Sequence, residues 1–145
     1  MVQTLEEEER GPRPLSVLVV EDEPLILMSL VDILRDDGLE IFAASDAEEA
    51  INLLEFGEVI VDLVFTDVRF PHGRNGFEFT RWLRAHRPEI LIAVTSGQVA
   101  GSAANRELLE GELFIEKPYL ISQLADQLEA FARASDRVTA RRRDL

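Results

Sequence analysis

Four short apolar runs, each ending on polar or charged residues, constrain this chain more than any other feature. Ser16–Val20 (SVLVV) leads into Glu21 and Asp22, and Leu63–Thr66 (LVFT) leads into Asp67. Ile90–Val94 (ILIAV) leads into Thr95 and Ser96, and Glu112–Glu116 (ELFIE) leads into Lys117 and Pro118. Near-continuous apolar runs of this length suit parallel strands buried on both faces. The segments between them carry apolar residues at helical spacing, so right-handed crossovers and one parallel sheet covered on both sides are expected. Open sheets of this kind bind ligands at the C-terminal ends of their strands. Acids, a hydroxyl and an ammonium then meet in one crevice, which suits a divalent cation and a phosphoryl group.

The rest of the chain fills in this pattern. Pro24 opens a helix in which Leu27, Leu30, Val31 and Leu34 recur at three and four residues, and Gly38 stops it. Glu40–Ala44 (EIFAA) is a further strand. Ser45 with Glu48 fits a capping box for a helix whose apolar face is Ala50, Ile51, Leu53 and Leu54, ending near Gly57. A loop, Val68–Asn75, holds Pro71 and Gly73. Gly76–Arg87 predicts a third helix, with Phe77, Phe79, Trp82 and Leu83. The glycine-rich stretch 97–102 opposes helix, and Ala103–Glu110 predicts a short fourth one. Leu120–Ala134 predicts the last, with Leu124, Leu128 and Phe131 at spacings of four and three. Five strands and five helices alternate across residues 16–134. Residues 1–15, with the acidic Glu6–Glu9 run, and residues 135–145, with Arg137 and Arg141–Arg143, read as tails.

Composition narrows the function. The chain has 145 residues, 46% of them hydrophobic, which matches one domain with one ample core. It has no cysteine, so disulfides and thiolate metal sites are excluded. A net charge of −13 argues against nucleic acid, which needs a basic footprint. No apolar stretch approaches the roughly 20 residues of a membrane span. Met1–Arg10 is acidic and lacks the apolar core of a signal peptide, so a soluble cytoplasmic protein is expected.

At Glu21-Asp22, Asp67, Thr95-Ser96 and Lys117-Pro118 the chain resembles the response-regulator receiver domain of two-component signalling, over about Ser16 to Ala134. Val68–Gly76 (VRFPHGRNG) looks like the family's loop after the phospho-acceptor, lengthened by one residue. Together with VTSG and FIEKPY it is similar to small receivers found beside sensor kinases in alphaproteobacteria. The resemblance implies a flavodoxin-like α/β fold, doubly wound, with sheet order 2-1-3-4-5. It implies transfer of a phosphoryl group from a histidine kinase or histidine phosphotransfer protein to an aspartate, with bound Mg²⁺. A change then follows on the face formed by the fourth helix, fifth strand and fifth helix, which is also a candidate homodimer surface.

The resemblance assigns roles residue by residue. Asp67 is the acceptor and nucleophile. Asp22 binds Mg²⁺ directly, Glu21 through water or at longer reach, and Asp67 and the backbone carbonyl of Arg69 complete the protein's share. Lys117 reaches the phosphoryl oxygens, aimed by a cis peptide before Pro118. Thr95 donates its hydroxyl and, with Phe114, is a candidate switch residue, and the small Ser96 leaves room beside it. Phe114 stands where the family often has a switching aromatic, though an aromatic in an apolar strand is as readily core. The Arg69 side chain stands where the family tunes phosphoryl lifetime. His72 and His86 lack ligand spacing and read as exposed residues. At least one of Leu25 and Met28 reads as exposed on the helix that docks the kinase.

The expected activity is that of a switch with slow self-dephosphorylation and no output domain, not of a turnover enzyme. Two rivals stand beside it. Hydrolases of the haloacid dehalogenase class need a second acid two residues after the nucleophile, where this chain has Arg69. A phosphorylation-independent interaction module on the same fold would have no use for Glu21, Asp22, Asp67, Thr95 and Lys117 together.

Overall fold

The computed structural model describes residues 13–68, 76–97 and 108–135. Its elements in chain order are β1 (Ser16–Val20), α1 (Pro24–Asp36), β2 (Glu40–Ala44), α2 (Ala47–Phe56), β3 (Leu63–Asp67), α3 (Gly76–His86), β4 (Leu91–Ser96), β5 (Leu113–Glu116) and α4 (Ile121–Arg133). The strands form one parallel sheet in the order β2-β1-β3-β4-β5. The first crossover runs outward to β2 and the next returns past β1 to β3. The chain reverses direction there, and that reversal opens the crevice above β1 and β3.

Side chains on a strand alternate between faces, so each apolar run feeds two cores. Val17, Val19, Leu63, Phe65, Leu91, Ala93 and Ile115 pack with Leu30 and Leu34 of α1 and with Leu124 and Leu128 of α4. Leu18, Val20, Val64, Ile92 and Val94 pack with Ala50, Ile51 and Leu54 of α2 and with Phe79 and Leu83 of α3. The sheet is therefore covered on both sides, the doubly wound, flavodoxin-like arrangement expected from sequence.

Local signals set most helix ends. Pro24 begins α1, and Gly38 follows its C-cap at φ +96°, a conformation that glycine adopts freely. The start of α2 differs by one residue from the sequence expectation. Asp46, not Ser45, is the N-cap, and its Oδ1 accepts the Glu49 N–H at 2.8 Å. Glu49, not Glu48, reaches back, accepting from the Ser45 hydroxyl at 2.6 Å. Two neighbouring capping residues competed, and the one that lets Ala47 and Ala50 face the core prevailed. Asp46→Ala is expected to lower the stability by about 1 kcal/mol, read from the urea midpoint.

Four helices lie among the described residues. The short helix expected over Ala103–Glu110 falls outside them for 103–107, and Leu108–Glu110 are not helical. Leu109 begins a turn instead. The Glu112 N–H donates to the Leu109 carbonyl at 3.1 Å, and the Leu109 N–H donates to the Glu112 carboxylate at 2.9 Å. Arg84 grips that carboxylate with two bonds of 2.8 and 2.6 Å, and Gly111 sits at φ +88°. A side-chain fork thus fixes the chain just ahead of β5.

The chain is packed before β1 begins. Leu15 is fully buried in the first core, and Arg13 forms a fork with Asp62 at 3.1 and 2.8 Å. No described helix is long and apolar enough to cross a membrane.

Candidate acidic phosphoryl site

Alternation along the strands carries the site residues to one side. Thr95 lies two residues after Ala93, Asp67 two after Phe65, Glu21 two after Val19 and Lys117 two after Ile115. All four therefore continue the face of the first core, at the C-terminal edge of the sheet. Backbone bonds extend the ladder past the strand ends. The Glu21 N–H donates to the Ala44 carbonyl at 3.1 Å, and the Lys117 N–H donates to the Ser96 carbonyl at 2.9 Å. Asp67 and Thr95 are register partners.

The carboxylates of Glu21, Asp22 and Asp67 each place an oxygen within 4.8 Å of the others. Two full charges at that separation repel by roughly 3 kcal/mol at an effective dielectric of about 20. Lys117 offsets part of this, its Nζ donating to Asp67 Oδ2 at 2.5 Å. The Lys117-Pro118 peptide is cis, as the resemblance implied. Asp67 and Glu21 are buried, at 6% and 3% exposure, while Asp22 faces solvent. Burial pushes the Glu21 carboxyl above its usual range; the Glu23 N–H, 3.1 Å from Oε1, and Lys117 pull it down, and Asp67 and Asp22 push it up again.

That direction has a testable sign. A carboxyl whose folded value is raised favours the folded state below its unfolded value. The contribution is lost as pH rises through the folded value. Without metal, Glu21→Gln is therefore expected to raise the melting temperature at neutral pH. The gain should vanish as pH falls below the ordinary carboxylate range. A melting temperature unchanged at both ends would contradict the assignment.

Three further groups lie at the strand ends around the site. The hydroxyls of Thr95 and Ser96 are buried with no hydrogen-bond partner. A buried hydroxyl left unpaired costs about 1–3 kcal/mol, so Thr95, on the face of the acids, is a donor held ready for a ligand or water, while Ser96, one residue on, belongs to the opposite face. Sequence reasoning assigned Ser96 only its small size. It gave Tyr119 no role, although Tyr119 directly follows Lys117-Pro118. The Tyr119 ring meets Phe65 edge-on at 5.9 Å, and its phenol is pushed up to about 12 by burial and by the charges of Glu21 and Asp67.

This donor set fits Mg²⁺, which takes oxygen ligands, keeps several waters and uses one or two carboxylates. The cluster offers buried and exposed carboxylates on one side and an open mouth at Asp22. It is the one group of three such residues among those described. Arg69, whose carbonyl was expected to complete the set, lies outside the described residues, as does His72. His86 is exposed at the end of α3, stacked on Trp82 at 4.8 Å, with no part in the cluster.

Phe114 sits on the opposite face from Thr95, in register with Val94, half-buried against the second core. It also lines a groove of about 720 Å³ along β5 and α4, with Tyr119, Leu120, Gln123 and Phe131. Leu25 and Met28 are both exposed, at 72% and 62%, on α1 beside the acids.

A family model, the response regulator receiver domain, matches residues 17–129. The chain is 31% identical over 134 residues to the transcriptional regulatory protein PdtaR of Mycobacterium tuberculosis, covering 88% of this chain and 61% of that protein. It thus spans under two thirds of that relative's length. It is 28% identical to the polar-differentiation response regulator DivK of Brucella anthropi, over 81% of this chain and 96% of that one. Among solved structures, a response regulator receiver protein from Sinorhizobium medicae superposes with a TM-score of 0.73 at 27% identity, covering 83% of this chain and 96% of that one. Sheet order, acidic cluster and family match agree, and this chain belongs to the response regulator receiver domains of two-component signalling.

Proposed function

We propose that the chain accepts a phosphoryl group on Asp67 from a histidine kinase or histidine phosphotransfer protein. It then signals by altered partner binding. The observation that supports this best is the Asp67–Lys117 ion pair set inside a cluster of carboxylates, beside the unpartnered Thr95 hydroxyl.

The Asp67 carboxylate is itself the nucleophile and needs no general base to attack. One carboxylate oxygen forms a bond to phosphorus as the donor's phosphorus–nitrogen bond breaks. The departing imidazole keeps the electron pair, and Asp67 becomes an acyl phosphate. Lys117, a compact ammonium, turns from Asp67 Oδ2 to a phosphoryl oxygen. Thr95 donates its free hydroxyl to another. Glu21, Asp22, Asp67 and the backbone carbonyl of Arg69 would hold Mg²⁺. When bound, Mg²⁺ supplies the positive charge that lets three carboxylates and a phosphoryl group share one crevice. Water reaching the same phosphorus returns Asp67 to its free form, the slow self-dephosphorylation expected of a switch. Phe114, between the second core and the β5–α4 groove, is the proposed element that changes with occupancy.

The test is phosphoryl uptake from acetyl phosphate, followed by intact mass with Mg²⁺ or with EDTA. The reading predicts one added phosphoryl group with Mg²⁺ and none with EDTA. Absence of uptake both from acetyl phosphate and from a phosphorylated histidine phosphotransfer protein would favour the interaction-module reading.

A further inference from the structure

The backbone leaving Asp67 is clamped from two sides. The Val68 N–H donates to the Thr95 carbonyl at 3.2 Å, and the Val68 carbonyl accepts the Gly76 N–H at 3.1 Å. Gly76 is the first residue of α3 and is buried. A Cβ built on it would lie 2.6 Å from the Asp67 carbonyl oxygen and 2.9 Å from the Val68 carbonyl carbon, and closer still to Val68 Cα. All three neighbours are backbone atoms, so no side chain can swing aside to make room. Gly76 carries no positive φ, so its use here is space, not conformational freedom. Any side chain at this position must push α3 away from the strand end or push the strand end away from α3.

We propose that Gly76 is a positioning residue for phosphoryl transfer. By lacking a side chain, it lets the first turn of α3 seat directly on the Asp67–Val68 peptide. That contact fixes the acceptor carboxylate against Lys117, Thr95 and the metal acids. The inference rests on Asp67 being the acceptor, and it adds a residue on a different element with no polar group of its own. Transfer tolerates little error in the placement of a nucleophile, and a misplacement of about 1 Å costs on the order of 100-fold.

The experiment compares the parent, Gly76→Ala and Leu83→Ala. Leu83 is fully buried on the same helix, about two turns further on. Both variants lower the melting temperature. Only Gly76→Ala is expected to lose phosphorylation, with a maximal rate from acetyl phosphate roughly 10–100-fold below the parent while circular dichroism stays native. Its Mg²⁺ affinity by titration calorimetry should fall as well, and that of Leu83→Ala should hold. Equal slowing in both variants would make the effect general destabilisation and overturn the proposal. So would a Gly76→Ala protein with the parent's rate and affinity, or one that does not fold, since the glycine would then serve the fold and not the site. A parent that takes up no phosphoryl group contradicts the acceptor reading instead. The three Mg²⁺ affinities then still decide on Gly76, because they depend on where the Asp67 carboxylate sits and not on transfer; a parent that binds no Mg²⁺ overturns both.

Discussion

Asp67→Asn is expected to take up no phosphoryl group from acetyl phosphate and Mg²⁺ while keeping a native circular dichroism spectrum. An amide of the same shape fills the space of the carboxylate but has no anionic oxygen to attack phosphorus. The fold should tolerate the change because Asp67 contributes a charge to a cluster that already repels itself, with partner oxygens inside 4.8 Å. Lys117→Ala provides the graded counterpart. It leaves the nucleophile in place and removes the cation 2.5 Å from it, so transfer should slow by roughly 10²–10³-fold without ceasing. Uptake by Asp67→Asn at the parent's rate would move the acceptor elsewhere. Lys117→Ala at the parent's rate would make the ion pair structural.

Asp62→Ala is expected to lower the unfolding free energy by about 3–5 kcal/mol, a large share of the roughly 5–15 kcal/mol available to a domain of this size. Asp62 is completely buried at the start of β3. It accepts the Ser16 N–H at 2.9 Å and the Arg13 fork at 3.1 and 2.8 Å. Truncation leaves the buried Ser16 N–H without its acceptor and removes both bonds of the Arg13 fork. Urea unfolding measures the loss, and a double-mutant cycle with Arg13→Ala apportions it. The pair lies at the opposite end of β3 from Asp67, so phosphoryl uptake by folded Asp62→Ala should match the parent. A stability loss under about 1 kcal/mol would mean that Arg13 and Asp62 are each well hydrated when apart.

The legible parts of this protein were those set by local pattern. Apolar runs of strand length located all five strands to within two residues, most clearly for β1, β3 and β4, which are buried on both faces. Pro24 and Gly38 marked helix ends by backbone chemistry that tertiary context does not change. The acids, hydroxyl and lysine were legible because the strand ends of a parallel sheet share one edge, and their grouping followed from order alone. What stayed hidden depends on contacts between distant residues. Arg13 reads as part of a tail until Asp62, 49 residues on, is seen to need a partner. The helix expected to run to Glu110 gives way to a turn because Arg84 and Leu109 both claim the Glu112 carboxylate. The cap expected at Ser45 with Glu48 moved by one residue, to Asp46 with Glu49, because two adjacent residues could each cap. The closeness of Gly76 to the Asp67–Val68 peptide leaves no mark in the sequence beyond the glycine itself.

The central claim is that the acceptor is a single carboxylate at the end of β3, and the direct measurement is its location. The chain is phosphorylated with acetyl phosphate and Mg²⁺, reduced with borohydride, which converts an aspartyl phosphate to homoserine, and mapped by peptide mass spectrometry. The account predicts one reduced site, at residue 67, dependent on Mg²⁺. Reduction at another acid, or a stable phosphoryl group on His72 or His86 with residue 67 untouched, would contradict it.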